Sequence, residues 1–206
     1  MYVICDVDLC ERSGWTLVDF AFACVEGGAR LLQVRAKRTS TVSFLDQTIA
    51  IVGRAERAGA LVIVNDRADV ARLAGAPGVH VGQDDLPPSA VRSILGDSAV
   101  VGLSTHTTHQ ILEAVNEPIS YLAVGPVFGT ATKDTGYAAV GIDRVCEAIV
   151  AARPRSLPVV AIGGITLERA PAILACGASS VAVASDLFSG QNPEKRVRTY
   201  LDRLTG

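Results

Sequence analysis

The polar residues of this chain that could do chemistry gather just after short apolar runs. Gln33, Arg35 and Lys37 occupy alternate positions, so in an extended segment all three project to one side. An arginine fork and a lysine point charge beside an amide suit a diphosphate. Val64-Asn65-Asp66-Arg67 and His80-Val81-Gly82-Gln83-Asp84-Asp85 end two further runs with carboxylates. Carboxylates beside a basic cluster are donors for Mg2+, which bridges protein oxygens and substrate phosphate. Each group also has a plainer reading alone: a solvated basic strand end, a helix N-cap at Asp66, and a turn residue at Asp85 ahead of Pro87-Pro88. Together they favour metal-assisted handling of a diphosphate.

Later runs end in a different chemistry. Gly102-Leu103-Ser104-Thr105-His106 supplies a hydroxyl for a phosphate or a substrate ring. His106 reads as structural sooner than as an acid or base, His109 as a helix-surface residue, and His80 as a satisfied core histidine. Gly125-Pro126-Val127-Phe128-Gly129-Thr130-Ala131-Thr132-Lys133 is a glycine-containing turn followed by two hydroxyls and a lysine. That is an anion grip, and residues 129–141 read either as a candidate lid or as an ordinary surface loop. Gly163-Gly164 and Ala184-Ser185 follow the last two runs, where barrels bind phosphate through backbone amides. Two anion sites are therefore expected. They suit two phosphorylated substrates, or one long bisphosphate.

These groups need elements that aim them at one place. Apolar runs recur at roughly even spacing: Tyr2–Cys5, Leu31–Val34, Leu61–Val64, Val79–Val81, Val100–Leu103, Tyr121–Val124, Val159–Ile162 and Val181–Ala184. They are too short for helices and rich in Val, Ile or Leu, the pattern of buried parallel strands. Amphipathic stretches separate them: Leu17–Gly27, Val42–Ala58, Ala68–Ala74, Ser89–Leu95, Thr108–Val115, Ile142–Ala152, Leu167–Cys176 and Pro193–Leu204. Thr107, Thr166 and Asn192 read as N-caps. Alternating strands and helices imply right-handed crossovers, either in an open doubly wound sheet or in a closed barrel. No GxGxxG follows the first strand, and the repeat of eight favours the barrel. The expected fold is α/β, a single (β/α)8 TIM barrel over residues 1–206, with the site at the C-terminal strand ends.

The totals exclude other classes. Lys plus Arg is 19 against 21 for Asp plus Glu, so there is no basic excess for nucleic acid. Hydrophobic residues make up 49% and mean hydropathy is +0.34, yet no stretch reaches the ~20 apolar residues of a membrane span. The first residues lack the pattern of a signal peptide. Five cysteines with no CxxC read as reduced, mostly buried thiols. The expectation is a soluble cytoplasmic protein acting on small molecules. It has no nucleic-acid or membrane partner, and a homo-oligomer is allowed.

Six motifs carry a family resemblance, in register over nearly the whole chain. They are Gln33-x-Arg35-x-Lys37, Asn65-Asp66-Arg67-x-Asp69, the run from Gly78 to Pro87, Gly102-x-Ser104-x-His106, the run from Gly125 to Lys133, and Ala161-Ile162-Gly163-Gly164-Ile165. In them the chain resembles the thiamine phosphate synthase family. The resemblance implies condensation of 4-amino-2-methyl-5-(diphosphooxymethyl)pyrimidine with a thiazole phosphate, giving thiamine phosphate and diphosphate. It implies that Gln33, Arg35, Lys37, Asn65 and Lys133 bind the pyrimidine diphosphate, and that Asp66 and Asp85 hold Mg2+. Ser104 would contact the pyrimidine, while Thr130, Thr132, Gly164, Ala184 and Ser185 would bind the thiazole phosphate. Catalysis would fall to Arg35, Lys37, Lys133 and Ser104. Cys5, Gly129 and Asp186 depart from the residues usual in the family, and Asp186 bears on the second phosphate site. The alternatives are a thiazole tautomerase on the same barrel, which carries histidine where this chain has Pro126, a non-catalytic barrel that binds a phosphorylated ligand, and a sugar-phosphate isomerase.

Overall fold

In the computed structural model, which describes residues 1–129, 136–190 and 192–205, short strands alternate with helices. The strands are β1 (Tyr2–Asp6), β2 (Leu31–Arg35), β3 (Leu61–Asn65), β4 (Gly78–Val81), β5 (Val100–Thr105), β6 (Tyr121–Val124), β7 (Val159–Ile162) and β8 (Ser180–Val183). All are parallel to their neighbours, and β1 pairs with both β2 and β8, closing the barrel in sequence order. The helices are α1 (Val7–Arg12), α2 (Leu17–Glu26), α3 (Thr41–Arg57), α4 (Ala68–Ala74), α5 (Pro88–Leu95), α6 (Thr108–Ala114), α7 (Gly141–Ala152), α8 (Ala170–Ala175) and α9 (Pro193–Thr205). This is the expected (β/α)8 fold.

The two-residue period of a strand sorts its side chains between two layers. Val3 and Cys5, Leu32 and Val34, Val62 and Val64, and Val181 and Val183 face outward and join the large core beneath the helices. Tyr2, Ile4, Ile63, Tyr121, Ala123, Val160 and Ala182 face inward and fill the barrel axis. The same alternation decides which polar residues reach the mouth. Asp6, Arg35, Asn65, His80 and Ser104 stand at inward positions near the C-terminal strand ends, and all of them line one cavity.

Local sequence explains most boundaries. Thr107 forms a capping box with Gln110 at α6. Asn192 Oδ1 accepts from Lys195 N at 2.8 Å ahead of α9, whose first residue is Pro193. Two expectations are corrected. Helix α8 begins at Ala170, not Leu167, and Thr166 does not cap it. Pro171 lacks an N–H and its ring would clash with the carbonyl four residues back, so a helix cannot run through it from Leu167. Helix α1 was not expected from periodicity. Only six residues long, it exists because Asp6 ends β1 and caps the following turn, its Oδ1 accepting from Leu9 N at 3.0 Å.

Burial also accounts for the thiols. Cys5, Cys10 and Cys24 are free and buried beneath the helices. Loss of hydration pushes the Cys10 thiol up to about 12 and holds Cys5 and Cys24 well above the ordinary thiol range. They are packing groups rather than nucleophiles. No helix among the described residues is long and apolar enough to cross a membrane.

Candidate active site

The cavity lies at the C-terminal mouth and encloses ≈ 800 Å³, open solvent included. Seven of the residues expected at the site line it: Gln33, Arg35, Asn65, Ser104, Gly164, Ala184 and Ser185. Lys37, Asp66 and Asp85 meet beside it, as described below. Thr130, Thr132 and Lys133 lie outside the described residues, as do all of residues 130–135 of the expected lid.

On the first side, β1 and β2 bring Asp6 opposite Arg35 in register. The two form an ion pair in which the Asp6 side chain is 4% exposed and the Arg35 side chain 13%. Asp6 thus divides its carboxylate, one oxygen capping α1 and the other gripping Arg35 Nη1. Arg35 Nε is buried and has no hydrogen-bond partner among the described residues. An unsatisfied buried donor is costly, and an anionic oxygen at the mouth would satisfy it.

Lys37, just past β2, pairs with Asp66. Asp66 sits at φ 62, a left-handed conformation that aspartate tolerates better than most residues. The structure rules out the N-cap reading: Arg67 caps α4, and no side chain bonds there. The Asp85 carboxylate lies within hydrogen-bond reach of Asp66, while its Oδ2 accepts from Gly82 N at 2.8 Å. Burial first, and then the Asp85 carboxylate, raise Asp66 above the ordinary carboxylate range, with Lys37 pulling the other way. Two carboxylates this close repel, and either a shared proton or a cation relieves the repulsion. No cluster of three or more His, Cys, Asp or Glu suited to a metal occurs among the described residues. Two carboxylates, with the other positions left to water and phosphate oxygens, are the donor set that Mg2+ accepts. The residues present therefore fit Mg2+.

The cavity floor is a hydrogen-bonded chain across the barrel. Gln33 Nε2 donates to Tyr2 Oη at 2.9 Å, and Tyr2 Oη meets Tyr121 Oη at 3.0 Å. Tyr121 Oη meets His80 Nδ1 at 2.9 Å, and His80 Nε2 meets Ser104 Oγ at 2.8 Å. Burial holds both tyrosines above the ordinary phenol range, so they stay protonated and able to donate. His80 is the satisfied histidine expected from sequence, but it is also part of the cavity wall. Tyr2 and Tyr121 were missed. Their inward position follows from alternation, whereas their contact across 119 residues has no signature in spacing.

Gly102 makes room for this chain. A Cβ there would lie 2.1 Å from Tyr121 Cζ and 2.6 Å from His80 Nδ1. Gly102→Ala is expected to lower stability by about 1–3 kcal/mol through overpacking and to weaken pyrimidine binding, since Ser104 loses its support. Chemical denaturation and substrate titration check the pair of effects. An unchanged midpoint would contradict the packing argument.

On the opposite side, Gly163 and Gly164 take φ 100 and 62. A Cβ at Gly163 would meet Pro126 Cα at 2.5 Å, and one at Gly164 would meet Gly129 O at 2.6 Å. Only glycine lets this turn pack against the loop after β6. Arg169 Nη1 donates to Gly164 O at 2.7 Å, and its guanidinium lies 4.5 Å from the centre of the Phe128 ring. Ala184 and Ser185 face the same space. Ile4, Pro126, Ile162 and Ile165 make the walls between the two sides apolar. His106 lines the cavity, contacts Gly125 O through Nδ1, and stacks on Tyr137 with centroids 4.1 Å apart. His109, as expected, is exposed on α6, paired with Glu113.

Comparison with known proteins agrees with this geometry. The model of the family described as thiamine monophosphate synthase matches residues 1–187. The thiamine-phosphate synthase of Koribacter versatilis is 41% identical over 206 residues, covering 99% of this chain and 95% of that protein. A thiamine-phosphate synthase of a Synechococcus species is 42% identical over 182 residues, but this chain spans only about half (50%) of its length. Among solved structures, thiamine phosphate pyrophosphorylase from Pyrococcus furiosus superposes with a TM-score of 0.88 at 26% identity, covering 99% of this chain and 94% of that one. A family match across the barrel, on a chain whose mouth carries the family's motifs, has one reading: this chain belongs to the thiamine monophosphate synthase family.

Proposed function

We propose that the chain joins 4-amino-2-methyl-5-(diphosphooxymethyl)pyrimidine to a thiazole phosphate, releasing diphosphate. The observation that carries this reading is one cavity with two different polar ends. A cationic, carboxylate-bearing end suits a leaving diphosphate. An end built from close-packed backbone suits a phosphate that stays intact.

The residues divide the work. Arg35 and Lys37, with Lys133, neutralise charge that builds on the diphosphate as its bond to the pyrimidine methylene breaks. Mg2+ held by Asp66 and Asp85 would add charge neutralisation on the same leaving group. Gln33, Asn65 and Ser104 orient the pyrimidine ring, and the buried chain through His80 holds Ser104 in place. Gly164, Ala184 and Ser185, with Thr130 and Thr132, hold the thiazole phosphate so that its ring nitrogen faces the electron-poor methylene. The apolar walls keep water from that carbon. Bond formation then depends on position, and no enzyme nucleophile is required. Five free cysteines, three of them buried, suit a reducing compartment, so we place the enzyme in the cytoplasm.

The tautomerase alternative would have the chain isomerise a thiazole without the pyrimidine substrate. Incubation with each substrate alone and with both, followed by mass spectrometry, separates the two. Thiamine phosphate formed only with both substrates is the expected result. Conversion of the thiazole by itself, with no condensed product, would overturn the proposal.

A further inference from the structure

Asp186 follows Ser185, which faces the cavity. A carboxylate so close to a phosphate site would repel its ligand unless it were neutralised and aimed elsewhere. Both conditions hold. Asp186 Oδ2 accepts from Arg196 Nη2 at 2.7 Å, and its side chain is 12% exposed. Arg196 Nε also donates to the Asp186 carbonyl at 3.2 Å, so one guanidinium grips the residue twice. Tyr200 Oη donates to the same carboxylate oxygen. Arg196 and Tyr200 lie one turn apart on α9, and Tyr200 is fully buried. Inside the turn, Leu187 N bonds back to Ala184 O at 3.1 Å, and Leu187 is buried. The turn over residues 184–188 is therefore clamped to α9 at the residue next to the cavity wall.

We propose that Asp186 is a positioning residue for the second phosphate: through Arg196 and Tyr200 it sets the turn that presents Ala184 and Ser185 to the ligand. This rests on the transferase reading for the identity of that ligand, the thiazole phosphate. Asp186 does not touch substrate. Its loss loosens one end of the cavity and leaves the diphosphate end untouched.

The test is steady-state kinetics of the full chain with each substrate varied in turn, together with calorimetric binding of thiazole phosphate. Asp186→Ala should raise the KM and the Kd for thiazole phosphate by roughly 10-fold or more, since small misplacements of binding groups are costly. The KM for the pyrimidine diphosphate and kcat at saturation should stay within about 2-fold. Asp186→Asn keeps an acceptor for Arg196 and Tyr200 and should recover most of the affinity. Arg196→Ala, which removes both grips, should exceed Asp186→Ala. Unchanged thiazole phosphate affinity in Asp186→Ala would overturn the proposal. So would an equal loss for both substrates with a lowered Tm, or failure of asparagine to rescue. A wild-type protein that binds thiazole phosphate without making product, and loses that binding in Asp186→Ala, would sink the transferase reading and keep this one. A wild-type protein that does not bind it would sink both.

Discussion

Asp66→Asn is expected to cut turnover by roughly three orders of magnitude, the scale of losing electrostatic support for a leaving group, while the barrel melts near the wild-type temperature. The choice of asparagine follows from the backbone. Asp66 sits at φ 62, where asparagine is comfortable and alanine is strained by about 1–2 kcal/mol. Alanine would therefore mix a conformational cost with the chemical one. Asparagine preserves shape and removes only the charge that, with Asp85, would hold Mg2+. Lys37 loses its partner but keeps its own charge beside the diphosphate. The check is kcat/KM across a Mg2+ titration, with circular dichroism melting alongside. A folded variant with near wild-type turnover and unchanged Mg2+ dependence would show that Asp66 does not hold the metal.

Arg35→Ala should fail in two ways at once. Asp6 is buried and paired with Arg35, so deleting the guanidinium strands a carboxylate in the barrel wall. Breaking a buried pair in this way costs about 3–5 kcal/mol. The diphosphate also loses the donor whose Nε has no hydrogen-bond partner among the described residues, for a fall in kcat/KM of about 100-fold or more. The two losses separate by design. Asp6→Asn combined with Arg35→Ala removes the stranded charge while retaining the cap on α1, and should recover stability without recovering turnover. Arg35→Lys should also recover stability in part. It should stay slow, because an ammonium cannot hold Asp6 and a phosphate oxygen with separate arms of a fork. Denaturation midpoints and kinetics on the three variants test this. Activity returning with stability in the double variant would place the role of Arg35 in the fold alone.

How much of this was legible in the sequence depends on the range of the contact involved. The barrel was legible because each strand is a short run of Val, Ile and Leu buried on both faces, and each crossover is amphipathic. Tyr121–Val124 and Val159–Ile162 fall at the expected residues. Helix α1 was not legible: six residues hold too little periodicity, and its cap at Asp6 also ends a strand. The start of α8 was misread because apolar spacing from Leu167 outweighed the veto at Pro171. At the site, polar residues at strand ends were legible, since alternation alone sends Gln33 and Arg35 inward. The pairings were not. Asp6 meets Arg35 only because β1 and β2 adjoin in one register. Likewise, the chain from Tyr2 through Tyr121 and His80 to Ser104 spans four strands. Asp186, a departure from the family pattern on the linear sequence, proves to face Arg196 and Tyr200 on α9 rather than the cavity.

Coupled formation of two products is the most direct test of the transferase reaction. The purified chain, given the pyrimidine diphosphate, thiazole phosphate and Mg2+, should release diphosphate and form thiamine phosphate in equal amounts. EDTA should stop both, and added Mg2+ should restore both. Diphosphate released without thiamine phosphate, or condensation that continues unchanged in EDTA, would contradict the Mg2+-dependent transferase reading.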